Sequence, residues 1–83
     1  MTPDTVREAL KSRVGARLRA LRRARDLSQR DVASLLNTDA AEVSRHESGA
    51  RCPSVPLLAR YAEGLEVPIY ELLRFDEPVV TLS

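Results

Sequence analysis

A single cysteine, Cys52, excludes an intrachain disulfide and fits a reducing compartment such as the cytosol. No apolar run approaches the roughly 20 residues that a membrane span needs. The opening stretch MTPDTVREAL is too polar for a secretory signal. Tryptophan is absent and only Tyr61, Tyr70 and Phe75 are aromatic, so the core must be small and aliphatic. That scarcity also argues against a single-strand nucleic-acid platform, which stacks bases on exposed rings. One histidine and one cysteine give too few ligands and nucleophiles for a metal site or a catalytic triad. No enzyme, metal or cofactor is therefore expected. Cys52 reads as a free thiol near a loop. Internal repeats and low-complexity segments are also missing, and 83 residues make one domain.

What is present is an uneven charge. The formal net charge is only +1, but residues 1–25 hold eight basic residues against Asp4 and Glu8, a surplus of six positive charges. The remainder holds five arginines against ten acids, a deficit of five. A basic block beside an acidic remainder suggests a polyanion on one side and another partner on the other. A solvated helix face is the plainer account of the same arginines.

Periodicity makes the chain all-helical. Val14, Leu18 and Leu21 recur at helical spacing, and Val6 and Leu10 extend the stripe backwards. Thr5-Val6-Arg7-Glu8 has the form of a capping box, so the first helix is expected to begin near residues 3–5. It either runs through Gly15 or breaks there, since glycine costs about 1 kcal/mol in a helix. Ser28 caps a second helix whose inner side is Val32, Ala33, Leu35 and Leu36. Asn37 closes it, because asparagine tolerates the left-handed conformation. Asp39 caps a third helix, anchored by Val43 and stopped by Gly49. Ser54 caps a fourth, with Leu57, Leu58, Tyr61, Ala62 and Leu65 inside, and Val67-Pro68 starts a short fifth. The tail FDEPVVTLS is not helical.

Two short helices joined by three residues, within LSQRDVASLLNTDAAEVSRHESG, form a helix-turn-helix, a unit that seats its second helix in the DNA major groove. Residues 13–73 resemble the Cro/repressor (Xre-type) helix-turn-helix family. The resemblance rests on an ordered set: Leu27-Ser28-Gln29, Ala33, the Asn37 turn, Val43, Glu47-x-Gly49, Pro53-Ser54 and the apolar last helix. It implies a five-helix, lambda-repressor-like all-α DNA-binding domain with the helix-turn-helix at helices 2–3. The chain then divides into an N-terminal helical extension (1–12), the DNA-binding domain (13–75) and a short C-terminal tail (76–83).

The resemblance also implies roles. Ala40, Ala41, Glu42, Ser44 and Arg45, on a recognition helix over 40–48, would face bases. Arg45 suits O6 and N7 of guanine, Glu42 suits cytosine N4, and the alanines touch only thymine methyls. Ser28, Gln29, Ser48 and Arg51 would reach phosphates, although Ser28 serves equally well as an N-cap. Arg22 and Glu47 would form a structural ion pair between helices. His46 stands where the family usually has an apolar residue and is expected to be a partly buried packing residue. The sequence departs from the family at Ala40 and Ala41, which makes direct readout sparse, and at Asn37, which replaces the usual turn glycine.

The resulting expectation is a cytoplasmic, sequence-specific regulator of transcription, repressor-like, that binds palindromic operators in double-stranded DNA as a homodimer. Eighty-three residues leave no room for a sensing domain after residue 75, so control would come from dimerisation, protein level or a partner. Ile69, Tyr70, Leu72, Leu73 and Phe75 offer more apolar surface than a short helix buries, which marks a dimer interface. Val79 and Val80 could add a tail strand exchanged between subunits; a last helix that only caps the core is the other outcome. The alternative is a protein-interaction module or antitoxin-type partner of the same fold, docking a protein through the acidic C-terminal side with weak DNA preference.

Overall fold

The computed structural model describes residues 3–75. Four α-helices, α1 (Pro3–Ala24), α2 (Gln29–Leu36), α3 (Ala40–Ser48) and α4 (Val55–Leu65), precede a 3-10 helix, Ile69–Leu73. The expected fifth α-helix is thus a 3-10 helix. Five residues launched by Pro68, with no side-chain cap, are too few to repay α-helix nucleation. Val79 and Val80 lie outside the described residues.

The first helix starts at Pro3, so Thr5 sits inside its first turn and the expected capping box is not the start signal. α1 is continuous through Gly15. A Cβ built on Gly15 would stand 2.5 Å from the main-chain oxygens of both His46 and Glu47. Glycine is there because α1 and α3 approach backbone to backbone, not to break the helix. Residues 4–10 are exposed and burial begins in earnest at Val14, so the N-terminal turns run beyond the core.

Local chemistry sets the ends of the next three helices. Ser28 Oγ accepts from the Asp31 N–H at 2.9 Å while Asp31 Oδ2 accepts from the Ser28 N–H at 2.8 Å, a reciprocal capping box. Asp39 caps α3 through the Glu42 N–H at 2.8 Å, and Ser54 caps α4 through the Leu57 N–H at 3.2 Å. Asn37 takes φ 56° and ψ 48°, and the N–H groups of Asn37 and Thr38 return to the carbonyls of Ser34 and Ala33. The same closure ends α1 at Asp26 and α4 at Glu66, both in the left-handed region. Gly49 ends α3 at φ 82°.

α3 packs between α1 and α2; α4 packs on α2, and the 3-10 helix lies against both α4 and α1. Val14, Leu18 and Leu21 meet Val32, Ala33, Leu36, Val43, Leu58, Tyr61, Ala62, Leu65 and Leu72 in one core. Leu72, expected at an exposed interface, is instead completely buried. Leu35, expected on the inner side of α2, is exposed, because consecutive residues lie about 100° apart around a helix and the buried face is the one that carries Val32, Ala33 and Leu36. Of the three tyrosine and phenylalanine rings, Tyr61 is in this core, Phe75 packs against it and Tyr70 is exposed, so close helix contacts through Gly15 and Ala33 replace bulk with proximity.

Candidate nucleic-acid interface

The caps at Ser28 and Asp39 fix where α2 and α3 begin, and that registers which side chains of α3 point outward. Val43, His46 and Glu47 turn into the protein, while Ala41, Ser44, Arg45 and Ser48 are exposed and Ala40 and Glu42 are partly covered. The exposed strip is therefore short-chained except for Arg45. Ser48 Oγ donates to the Arg45 carbonyl at 3.1 Å and accepts from the Ala50 N–H at 3.3 Å, so its hydroxyl helps to close the helix. Arg51, beyond the C-cap, is exposed on the same flank as Glu42, with Nη1 at 3.4 Å from Glu42 Oε1.

Behind α3, Glu47 gathers the neighbouring elements. Its Oε2 accepts from Arg22 Nε at 2.6 Å and its Oε1 from Arg22 Nη2 at 3.0 Å, a forked pair. Gln29, the first residue of α2, donates to the same Oε1 at 3.1 Å, and Arg19 Nε lies 3.5 Å away. Arg22 Nη1 also donates to the Leu27 carbonyl at 2.8 Å. Burial alone would raise the Glu47 carboxyl, but the hydrogen bonds from Arg22 and Gln29 outweigh it and hold its pKa below the ordinary value. One acid thereby ties the α1 end, the start of α2 and the end of α3 into a fixed frame. Ser28 and Gln29, expected at phosphates, both have partners within the protein: Ser28 in its cap and Gln29 on Glu47.

The basic block of α1 does not act as one stripe. Arg17 is 5% exposed, and it donates through Nε to the Glu71 carbonyl at 2.6 Å and through Nη2 to Glu71 Oε2 at 2.8 Å. It docks the 3-10 helix onto α1. Arg25 pairs with Glu66 beyond α4. Arg19 and Arg23, by contrast, line an open depression of about 520 Å³ with Ser12, Ala16, Ala20, Glu47 and Ser48. These two arginines therefore flank the C-terminal end of α3. Helical spacing puts Arg17 on the face of Val14 and Leu21 and Arg19 away from it, a signal the sequence carried; that Glu71 would be the partner of Arg17 depends on where the 3-10 helix lands on α1.

His46 is 1% exposed and does more than fill space. Its Nδ1 lies 2.6 Å from the Tyr61 hydroxyl and its Nε2 lies 3.1 Å from Glu42 Oε1. The two rings also meet edge to face, with centroids 5.6 Å apart. Burial lowers the His46 pKa despite the nearby Glu42 carboxylate, and burial pushes the Tyr61 hydroxyl pKa well up. Tyr61 was legible as a core position; its link to Glu42 was not. Two polar residues on otherwise apolar inner faces were the available signal.

Ile69, Tyr70 and Leu73 lie exposed on the 3-10 helix, with Tyr70 at 61%, and Phe75 is half-buried against the core. The 3-10 helix that carries the first three packs mainly on α4 and α1.

A family described as a helix-turn-helix domain matches residues 13–75. No curated protein matches the chain in sequence. Among solved structures, the restriction-modification controller protein C.AhdI from Aeromonas hydrophila is similar at 36% identity and a TM-score of 0.74, over 77% of this chain and 97% of that one. The clp gene regulator ClgR from C. glutamicum is similar at 26% identity and a TM-score of 0.74, over 77% of this chain and 83% of that one. With α2 and α3 joined by the Asn37 turn, and that unit within the matched span, the chain belongs to the helix-turn-helix domain family and has the fold of DNA-binding transcription regulators.

Proposed function

We propose that this protein is a sequence-specific, double-stranded-DNA-binding regulator of transcription that acts as a homodimer on palindromic operators. The observation that carries it is the outward strip of α3, short side chains around Arg45, bordered by Arg51 on one flank and by Arg19 and Arg23 on the other. Such a strip lets a helix enter the major groove while guanidinium groups meet the phosphates on either side. In this assignment Ala40, Ala41, Glu42, Ser44 and Arg45 face bases, with Arg45 on guanine. Ser28, Gln29, Ser48 and Arg51 reach phosphates. The Arg22–Glu47 pair holds the frame, and Ile69, Tyr70, Leu73 and Phe75 form the dimer contact. The family and the regulators of similar structure point away from an enzyme.

Anisotropy of labelled duplexes tests the assignment. Neutralising about four to eight phosphates per dimer gives a log–log salt slope of roughly −4 to −7. Arg45→Ala should remove about 1–3 kcal/mol of preference at one base pair per half-site, whereas Gln29→Ala should weaken all duplexes nearly alike. Failure to bind any duplex from a large pool at low salt would favour the protein-interaction module instead. Sedimentation of the wild type and of Tyr70→Asp tests the dimer. A wild type that stays monomeric at tens of micromolar would reject a preformed one.

A further inference from the structure

Glu42 is, after Glu47, the most heavily engaged side chain on the recognition helix, and each of its partners belongs to the protein. Its Oε1 receives His46 Nε2 at 3.1 Å and Arg51 Nη1 at 3.4 Å, and its Oε2 receives Arg45 Nη1 at 3.0 Å. The chain continues inward from His46 Nδ1 to the Tyr61 hydroxyl on α4. We propose that Tyr61, His46 and Glu42 form a relay that positions Arg45 for base recognition, so that Glu42 is a buttress for the reader and not itself a reader. The proposal rests on the DNA-binding assignment above.

The hydrogen-bond roles are internally consistent. A carboxylate only accepts, so Nε2 carries the proton of the neutral ring and Nδ1 accepts from the Tyr61 hydroxyl. Every polar atom of the relay then has a partner, and among the described residues no buried side-chain nitrogen or oxygen is left without one. A surface Glu–Arg pair is ordinarily weak because two long side chains must be ordered together. Here Glu42 is already held from below by a side chain locked in the core, so only Arg45 remains to be ordered. Arg45 spends Nη1 on Glu42, which leaves its Nε and Nη2 edge, the fork that matches O6 and N7 of guanine. Glu42, with three donors on its two oxygens, has little acceptor capacity left for cytosine N4. The alanines at 40 and 41 fit this division: the helix carries one long reader, supported from inside the protein.

The experiment is selection from a randomised duplex pool, with base preference read by sequencing the bound fraction at a temperature where circular dichroism shows each variant folded. Arg45→Ala first locates the base pair that Arg45 reads. Tyr61→Phe, which deletes one hydroxyl, His46→Phe and Glu42→Gln should each reduce preference at that same base pair by roughly three- to ten-fold. His46→Gln, whose amide still donates toward Glu42, should restore most of it. Nitrogen NMR should show His46 protonated at Nε2 and bare at Nδ1. The relay is overturned if Tyr61→Phe and Glu42→Gln leave the Arg45 base pair unchanged, if Glu42→Gln alters a different base pair, or if the opposite tautomer is found. A merely structural role would lower the melting temperature and leave preference where it was, which also overturns the relay. If Arg45→Ala changes no base preference, the DNA assignment has failed with it, and that outcome is distinct from the others.

Discussion

Two helical glycines should respond to alanine with opposite signs, and the structure gives the reason. Glycine to alanine in a helix interior ordinarily gains about 0.5–1 kcal/mol through backbone entropy and propensity. At Gly64 the added Cβ would meet only the Leu35 side chain at 3.5 Å, an ordinary contact, so the gain should be realised. At Gly15 the same atom would stand 2.5 Å from two main-chain oxygens of α3. A comfortable carbon–oxygen approach is about 3.3 Å, so α3 must retreat by about 0.8 Å. Main chain cannot rotate out of the way as a side chain would, and the retreat would pull Glu47 from Arg22, now at 2.6 Å. Overpacking of about 3 kcal/mol, less the propensity gain, leaves a net loss of about 2 kcal/mol. For a domain of this size that lowers the melting temperature by roughly 8–16 °C, while Gly64→Ala should raise it by a few degrees. Thermal melts followed by circular dichroism decide the matter. A Gly15→Ala protein that melts at or above the wild type would refute the account of how α1 and α3 meet.

Glu47→Ala should cost about 3–5 kcal/mol, since it strands Arg22 against the core and frees Gln29; urea denaturation showing a loss under about 1 kcal/mol would contradict that. His46 gives a pH dependence with a definite sign. Burial lowers its folded pKa below the unfolded value of about 6.5, so the unfolded chain binds the proton first. Its stabilising contribution is complete above about pH 6.5 and is lost as pH falls through the lowered folded value. Between pH 7.5 and 5.5 the wild type should lose melting temperature more steeply than His46→Phe, and parallel profiles would reject the linkage. Asn37 at φ 56° should tolerate glycine within about 0.5 kcal/mol, whereas Asn37→Val should cost about 1–2 kcal/mol by chemical denaturation.

The helix boundaries were legible because they are set by side chains acting on their own or adjacent turns. Ser28, Asp39 and Ser54 cap from within three residues, and Asn37 and Gly49 close helices by their own backbone freedom. The helix-turn-helix follows from that spacing alone, and most of the core follows from the helical recurrence of Val14, Leu18, Leu21, Leu58, Tyr61 and Leu65. The start of α1 at Pro3 falls within the expected span, but Thr5-x-x-Glu8 is not its capping box, since those letters read the same inside a helix as at its end. The last segment was expected to be a fifth helix and forms a tighter 3-10 turn, because local signals mark where a helix begins without fixing its pitch over five residues.

Tertiary structure decided everything that depends on which surfaces meet. Sequence put eight basic residues in one block; only the docking of α3 and the 3-10 helix on α1 brought Arg17 to Glu71, joined Arg22 to Glu47, and left Arg19 and Arg23 beside the recognition helix. Leu72 and Leu73 are adjacent and chemically alike, yet one is buried and the other exposed because α4 and α1 cover a single face of the 3-10 helix. Gly15 looked like a weak point in a helix and proved to be a contact point between two. His46 looked like filler and proved to be bonded on both ring nitrogens, to Tyr61 fifteen residues ahead and to Glu42 one turn back. Local conformation is fixed by neighbours along the chain, so it can be read there. Burial, pairing and the aim of a guanidinium are fixed by neighbours across space, and those exist only once the helices have packed.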